Sequence, residues 1–153
     1  MNRPIFFLDA NIPMYAAGRD HPYKAACVWL MQEVARDRLN VAIDTEVAQE
    51  ILHRFSSIGQ PELGIRMATR LLDLAPTVYS VNERDIRQAI EIFRNQPPRH
   101  IRSRDALHAA VMRNNGVTHI ISADQHFDFI EGITRIAIGT LEETRRAIDG
   151  WSA

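Results

Sequence analysis

The sequence predicts an α/β fold, three layers deep (α/β/α), with a mainly parallel sheet of about five strands between its helices. Two observations carry this expectation. Five short apolar runs rich in β-branched and aromatic residues recur along the chain, and helically spaced apolar patterns fill the intervals between them. Such alternation builds parallel sheets, because a parallel neighbour is reached only through a crossover long enough to hold a helix. At 153 residues the chain is expected to form one domain over 1–153, with enough length for a substantial core.

The first strand is expected at Ile5 to Leu8, a short unbroken apolar run that suits burial on both faces. A helical pattern over 22–37 leads to a second strand at Val41 to Ile43. Helices over 45–56 and 60–74 precede a strand at Thr77 to Val81, and helices over 83–95 and 103–114 precede one at His119 to Ile121. Thr134 to Ile138 forms the fifth strand, followed by a helix over 140–149. Gln96-Pro97-Pro98-Arg99 is the clearest loop. No internal repeat or low-complexity segment interrupts the series.

An apolar fraction of 46% with 24% charged residues is ordinary for a globular protein. The formal net charge of -1 argues against binding nucleic acid through bulk electrostatics, so any such contact has to come from a local patch. Lys24 is the only lysine, and all other basic residues are arginines, which suit bidentate phosphate recognition; a codon bias towards high GC content explains the same skew. Cys27, the only cysteine, excludes an intrachain disulfide and reads as a small core residue among Ala25, Ala26, Val28 and Trp29. The apolar stretch before Asp9 is too short for a signal peptide, and no segment reaches membrane-spanning length, so a cytoplasmic protein with no membrane contact is expected.

Four acids stand at the edges of the apolar elements. Asp9 closes Pro4-Ile-Phe-Phe-Leu-Asp9, and Glu50 lies in Glu46-Val-Ala-Gln-Glu50-Ile-Leu. Asp105 opens Asp105-Ala-Leu-His-Ala-Ala-Val-Met112, and Asp124 follows Val117-Thr-His-Ile-Ile-Ser-Ala. A carboxylate beside a buried element has to be paired, protonated or metal-bound, because an isolated buried charge costs far too much. Ligands of open α/β sheets gather at the carboxyl ends of the strands, where Asp9 and Asp124 fall. Four acids meeting there would form a divalent-cation site.

Helix phase selects Glu50 over Glu46. At about 100° per residue, Val47, Ala48, Ile51, Leu52 and Phe55 share one face, and Glu50 borders it roughly 60° from Val47, with Glu46 further round towards solvent. Each acid also has an ordinary structural role. With Ser103 as N-cap, Asp105 sits in a first turn that favours carboxylates. Asp124 suits a turn at Ser122-Ala-Asp124, and Asp9-Ala-Asn11 a strand-to-helix turn. Between Ala106 and Met112 the only polar side chain is His108, so this helix is expected to be buried nearly all round. Asp105 and His108, about 60° apart, could share a pocket. A core histidine bonded to a carbonyl is the favoured role for His108.

Taken together, Phe6-Phe7-Leu8-Asp9-Ala10-Asn11, Glu50-Ile51-Leu52, Asp105-Ala106-Leu107-His108-Ala109-Ala110 and Ser122-Ala123-Asp124-Gln125-His126-Phe127 resemble the PIN-domain nucleases. More narrowly, a lone domain of this length resembles the VapC-type toxins of prokaryotic toxin–antitoxin pairs. The resemblance runs from Asp9 to the strand around Ile136, and its Asp-Ala-Leu-His-Ala-Ala and Ser-x-Asp-x-x-Phe elements are the specific parts. It implies a PIN-like fold and an acidic quartet of Asp9, Glu50, Asp105 and Asp124 as catalytic and metal-binding residues. Asn11, Ser122 and His126 would be supporting residues, Ser122 standing where the family has a hydroxyl or amide. His126 stands where the family often has a further acid, with Asp128 as a poorly spaced substitute.

Hard oxygen ligands select Mg²⁺ or Mn²⁺ over zinc. The expected activity is a metal-dependent endoribonuclease cleaving RNA phosphodiesters. Arg94, Arg99, His100, Arg102 and Arg104 crowd the approach to Asp105; Arg99, Arg102 and Arg104 are the candidate substrate contacts, and a solvated arginine face balanced by Glu91 and other acids accounts for them as well. A cognate antitoxin and a homodimer are the partners the resemblance implies, with Trp29 and Phe55 as interface candidates that suit core packing equally. Two other functions compete. A phosphotransfer domain, receiver-like or phosphatase-like, also puts an Asp after its first strand, but needs a lysine near the site and only Lys24 is available. A PIN-fold interaction domain that has lost its chemistry would have no use for four intact acids.

Overall fold

The computed structural model describes residues 3–96 and 101–152, the side chain of Ser152 excepted. Five strands, β1 (Phe6–Leu8), β2 (Val41–Asp44), β3 (Thr77–Tyr79), β4 (His119–Ile121) and β5 (Thr134–Ile136), make one sheet in the order β3-β2-β1-β4-β5. Every pairing is parallel. The chain therefore leaves β1 towards β2 and β3, then crosses back to β4 and β5. Right-handed crossovers running in opposite directions place helices on both faces, giving the three layers that the alternating pattern predicts. The reversal between β1 and β4 is the topological switch point, and it opens a crevice at their carboxyl ends.

Among the described residues seven α-helices flank the strands: α1 (Asn11–Ala17), α2 (Lys24–Ala35), α3 (Thr45–Ser57), α4 (Pro61–Leu74), α5 (Glu83–Arg94), α6 (Ser103–Asn114) and α7 (Leu141–Ser152). α1 packs on α2, α3 on α4, α5 on α6, and α7 on α2. Phe6, Phe7 and Leu8 are sealed on both faces, as expected for a central parallel strand. Cys27 is completely buried, which raises its thiol to about 12, so it serves as a core residue. Phe55 is also core: α4 crosses α3 closely at Gly64, where an added Cβ would lie 2.9 Å from the Phe55 Cβ. Trp29 packs partly against the core with Arg145 over its ring.

The main departure from the sequence expectation is α1, which the 22–37 helix was not expected to have before it. Pro13 falls in its first turn, where the missing N–H costs nothing. No side chain caps this seven-residue helix at Ala10, so it carries no sequence signature. A 3-10 turn at Gln125–Phe129 was also unforeseen. Residues 97–100, with Pro97, Pro98 and Arg99 of the expected loop and His100, lie outside the described residues. Among the described residues no helix is long and apolar enough to cross a membrane.

Candidate metal centre

Asp9 is the first residue beyond β1, and its backbone N–H donates to Ile121 at the end of β4 (3.2 Å). This contact ties the acid to the crevice. The residue is 6% exposed, with Oδ1 accepting from the Ala10 N–H (2.8 Å) and Oδ2 from the Ser122 hydroxyl (2.6 Å) and the Asn11 amide (3.2 Å). Ser122 in turn accepts from the Asp124 N–H at 2.9 Å. Asn11 and Ser122 thus both donate to Oδ2 of Asp9, and Ser122 links it to Asp124.

Asp105 occupies the first turn of α6, and its Oδ2 accepts from the Arg102 N–H at 3.0 Å. Arg102, not Ser103, is the N-cap; with no oxygen on the Arg102 side chain, the start of α6 is held by the reach-back of Asp105. The capping role and the cleft position are therefore one and the same. Asp124 likewise caps the 3-10 turn, its Oδ1 accepting from the His126 N–H at 2.9 Å, and still faces the cleft.

Glu50 projects from the border of α3 into the same cleft, whereas Glu46 faces a separate depression lined by α5 and α6. Oε2 of Glu50 lies 3.5 Å from the Arg104 guanidinium, and Oε1 lies 2.5 Å from Nε2 of His108. The other ring nitrogen of His108, Nδ1, is 2.7 Å from Oδ2 of Asp44. His108 therefore bridges two carboxylates instead of meeting a carbonyl or pairing with Asp105. A ring-nitrogen contact to a carbonyl would satisfy only one side, and here both sides face acids.

Asp44 is the residue that sequence reasoning missed. It is fully buried at the end of β2 and looks in sequence like a plain N-cap, which it also is, since Oδ1 accepts from the Val47 N–H at 3.0 Å. Its signal was positional: like Asp9, it stands at the carboxyl end of a buried strand.

The cleft, about 780 Å³ in volume, brings together Asp9, Glu50, Asp105 and Asp124 with Asn11, Arg102 and Arg104 on its walls. His126 stands between two of the acids, with Nδ1 2.7 Å from Oδ1 of Asp124 and 3.6 Å from Oδ2 of Asp105. The nitrogen makes no hydrogen bond in this orientation. Asp128 is no substitute for a fifth acid, because Arg135 holds it in a bidentate pair at 2.9 and 3.0 Å.

Crowding shows in the protonation of the acids. Burial raises Asp9 from 3.8 to about 6, with Glu50 and Asp105 adding repulsion and His108 and the Ser122 hydroxyl opposing it. Burial also raises Asp105, and Asp124 adds to the effect, against the opposing Arg102 hydrogen bond. For His108, burial disfavours the charged ring, but Asp44 and Glu50 together outweigh it and hold the imidazole well above its ordinary 6.5. The carboxylates of the cleft thus lack sufficient positive charge, which is the condition a bound cation relieves. The donors suit a hard divalent ion. Ligand atoms of Asp105, Asp124 and His126 come within 4.8 Å of one another, as do those of Asp9, Glu50 and His108. Both His108 nitrogens are already engaged, so the second group offers carboxylates only.

The model of the PIN domain family matches residues 6–132. Ribonuclease VapC13 of Mycobacterium tuberculosis is 32% identical over 134 residues, covering 87% of this chain and the whole of that protein. Ribonuclease VapC23 of the same species is 27% identical over 78% of this chain and 93% of the relative. Two solved structures share the fold. VapBC2 of Rickettsia felis, bound to a promoter DNA fragment, matches with a TM-score of 0.66 at 15% identity, covering 88% of this chain and 98% of that one. VapC20 of M. tuberculosis, described as a sarcin–ricin loop cleaving toxin, matches with a TM-score of 0.63 at 19% identity over 76% and 86% of the two chains. A family model spanning most of the chain and a relative matched along its entire length agree with the acid-lined crevice: the chain belongs to the PIN domain family, alongside the VapC ribonucleases.

Proposed function

We propose that the chain is a divalent-metal-dependent endoribonuclease and the toxin of a toxin–antitoxin pair. The observation that carries this reading is the convergence of Asp9, Glu50, Asp105 and Asp124, from four separate elements, on one cleft at the sheet's switch point. Asp9, Asp105 and Asp124 would hold Mg²⁺ or Mn²⁺, with His126 as a nitrogen donor where the family often has another acid. The bound cation supplies activation of water and stabilisation of charge on the phosphodiester. Glu50 presents Oε2 to the cleft, where it orients the attacking water or takes a place on the cation. Asn11 and Ser122 keep Asp9 aligned through its Oδ2. Arg102 and Arg104 would contact substrate phosphates, giving affinity without sequence information.

Besides the acids, Tyr15, Arg19, His21, His53, Arg54 and Ile58 line the cleft. Ring faces and positive charge of this kind suit an unpaired RNA strand. Tyr15 and His21 lie 4.5 Å apart at 31°, making a small aromatic wall. The phosphotransfer alternative is not supported, because the Lys24 amine donates to the Gly18 carbonyl at 2.7 Å and does not line the cleft.

Two partners follow from this reading. A cognate antitoxin is favoured by the VapBC complexes among the structural neighbours. A second copy of the chain is the proposed cover for the apolar side of α5, where Ile86, Ile90 and Phe93 are each about half exposed. The test of the function is cleavage of single-stranded RNA by the purified protein with Mg²⁺ or Mn²⁺, blocked by chelator and abolished in Asp9→Asn and Asp105→Asn. Undiminished cleavage by these variants, or cleavage in excess chelator, would sink the proposal.

A further inference from the structure

Asp44 is a buried carboxylate that the proposed chemistry does not use. Capping α3 requires only one side-chain oxygen, which Ser, Thr or Asn supplies as well. A fully buried carboxylate costs far more than that duty warrants unless its second oxygen is also satisfied. In this chain the second oxygen is satisfied by His108, itself 1% exposed, and the ring passes on to Glu50 through its opposite nitrogen. Phe7 of β1 packs against the His108 ring, with centroids 5.4 Å apart at 44°, which holds the ring from the side.

The three residues close a loop in space. Asp44 starts α3, Glu50 lies further along the same helix, and His108 from α6 spans between them. A glutamate otherwise swings on three side-chain torsions, and tying one of its oxygens removes most of that freedom. Oε1 is taken by the ring, so Oε2 alone is turned to the cleft and to Arg104. Carboxylate–histidine relays of this form orient ligands at metal sites generally, although there the histidine usually touches the metal and here it touches the glutamate.

We propose that Asp44 and His108 form a buried positioning strut that holds Glu50 with one oxygen inward and the other in the cleft. Glu50 then offers the cation or the attacking water a single, fixed oxygen. Asp44 is a positioning residue, acting at the site entirely through His108. The inference rests on the nuclease reading of the cleft.

The test uses Asp44→Ser, which keeps a capping oxygen for the Val47 N–H and removes the one facing His108, with His108→Gln as a second variant. Each is made in the wild-type protein and in Glu50→Gln. Mn²⁺ affinity is measured by calorimetry without RNA, kcat and KM on single-stranded RNA, and folding by thermal melting. The strut predicts weaker Mn²⁺ binding and a kcat lowered roughly 10- to 100-fold at nearly constant KM. It also predicts no further loss when either change is added to Glu50→Gln. Wild-type Mn²⁺ affinity and kcat in folded Asp44→Ser would overturn the proposal, as would losses that add in full to those of Glu50→Gln. Failure of both strut variants to fold would make the pair purely structural and overturn it as well. Unchanged metal binding and cleavage in Glu50→Gln itself would instead refute the role of Glu50 in the nuclease reading.

Discussion

The Ser122 hydroxyl donates to Oδ2 of Asp9 at 2.6 Å, spanning the adjacent ends of β4 and β1. This bond stabilises the charged form of an acid that burial pushes towards neutrality. Ser122→Ala should therefore raise Asp9 above about 6 and cost about 1–3 kcal/mol of stability where Asp9 is ionised. Urea unfolding at pH 8 and pH 5 checks it, with the smaller loss expected at pH 5.

The elevated Asp9 sets the pH dependence of metal binding. Its folded value of about 6 exceeds the ordinary 3.8, so the proton is held more tightly in the folded chain. The stability that this group contributes to the metal-free fold is complete below about pH 4 and fades as pH rises through 6. Cation and proton compete for the same oxygens. Mn²⁺ affinity should fall roughly tenfold per pH unit below 6 from Asp9 alone, read by calorimetry between pH 5 and 8.

Arg104 is half exposed and lies 3.5 Å from Glu50, a contact worth at most about 1 kcal/mol at such exposure. Arg104→Ala should leave the melting temperature nearly unchanged. RNA binding by a catalytically silent Asp105→Asn protein should weaken on adding Arg104→Ala, and the slope of log affinity against log salt should become shallower by about 1. Fluorescence anisotropy at several salt concentrations measures both.

His126 puts an imidazole nitrogen between Asp105 and Asp124. Replacing it by aspartate supplies a hard oxygen instead, so His126→Asp should shift the ratio of Mg²⁺ to Mn²⁺ affinity towards Mg²⁺. Competitive titration of the two ions gives the ratio directly.

Much of this arrangement was legible in the sequence because burial leaves a periodic trace. The strands at Phe6 and His119 are continuous apolar runs, and the carboxyl-end rule then places Asp9 and Asp124 together. Phase on α3 separates Glu50 from Glu46 with no structural input. What escaped depended on contacts between distant elements. Asp44 has the local context of an ordinary cap, and nothing in its neighbours reveals that a histidine 64 residues later meets its other oxygen. α1 escaped for lack of a capping residue and because of a proline whose position in the first turn makes it harmless. Spacing likewise cannot show that Arg135 holds Asp128 in a bidentate pair.

Calorimetric titration of Mn²⁺ decides whether Asp9, Asp105 and Asp124 hold a divalent cation together. Saturable binding is expected of the wild-type protein at pH 8, with a large loss in each of Asp9→Asn, Asp105→Asn and Asp124→Asn, all three still folded. Isotherms of the folded variants that overlay the wild type would contradict it.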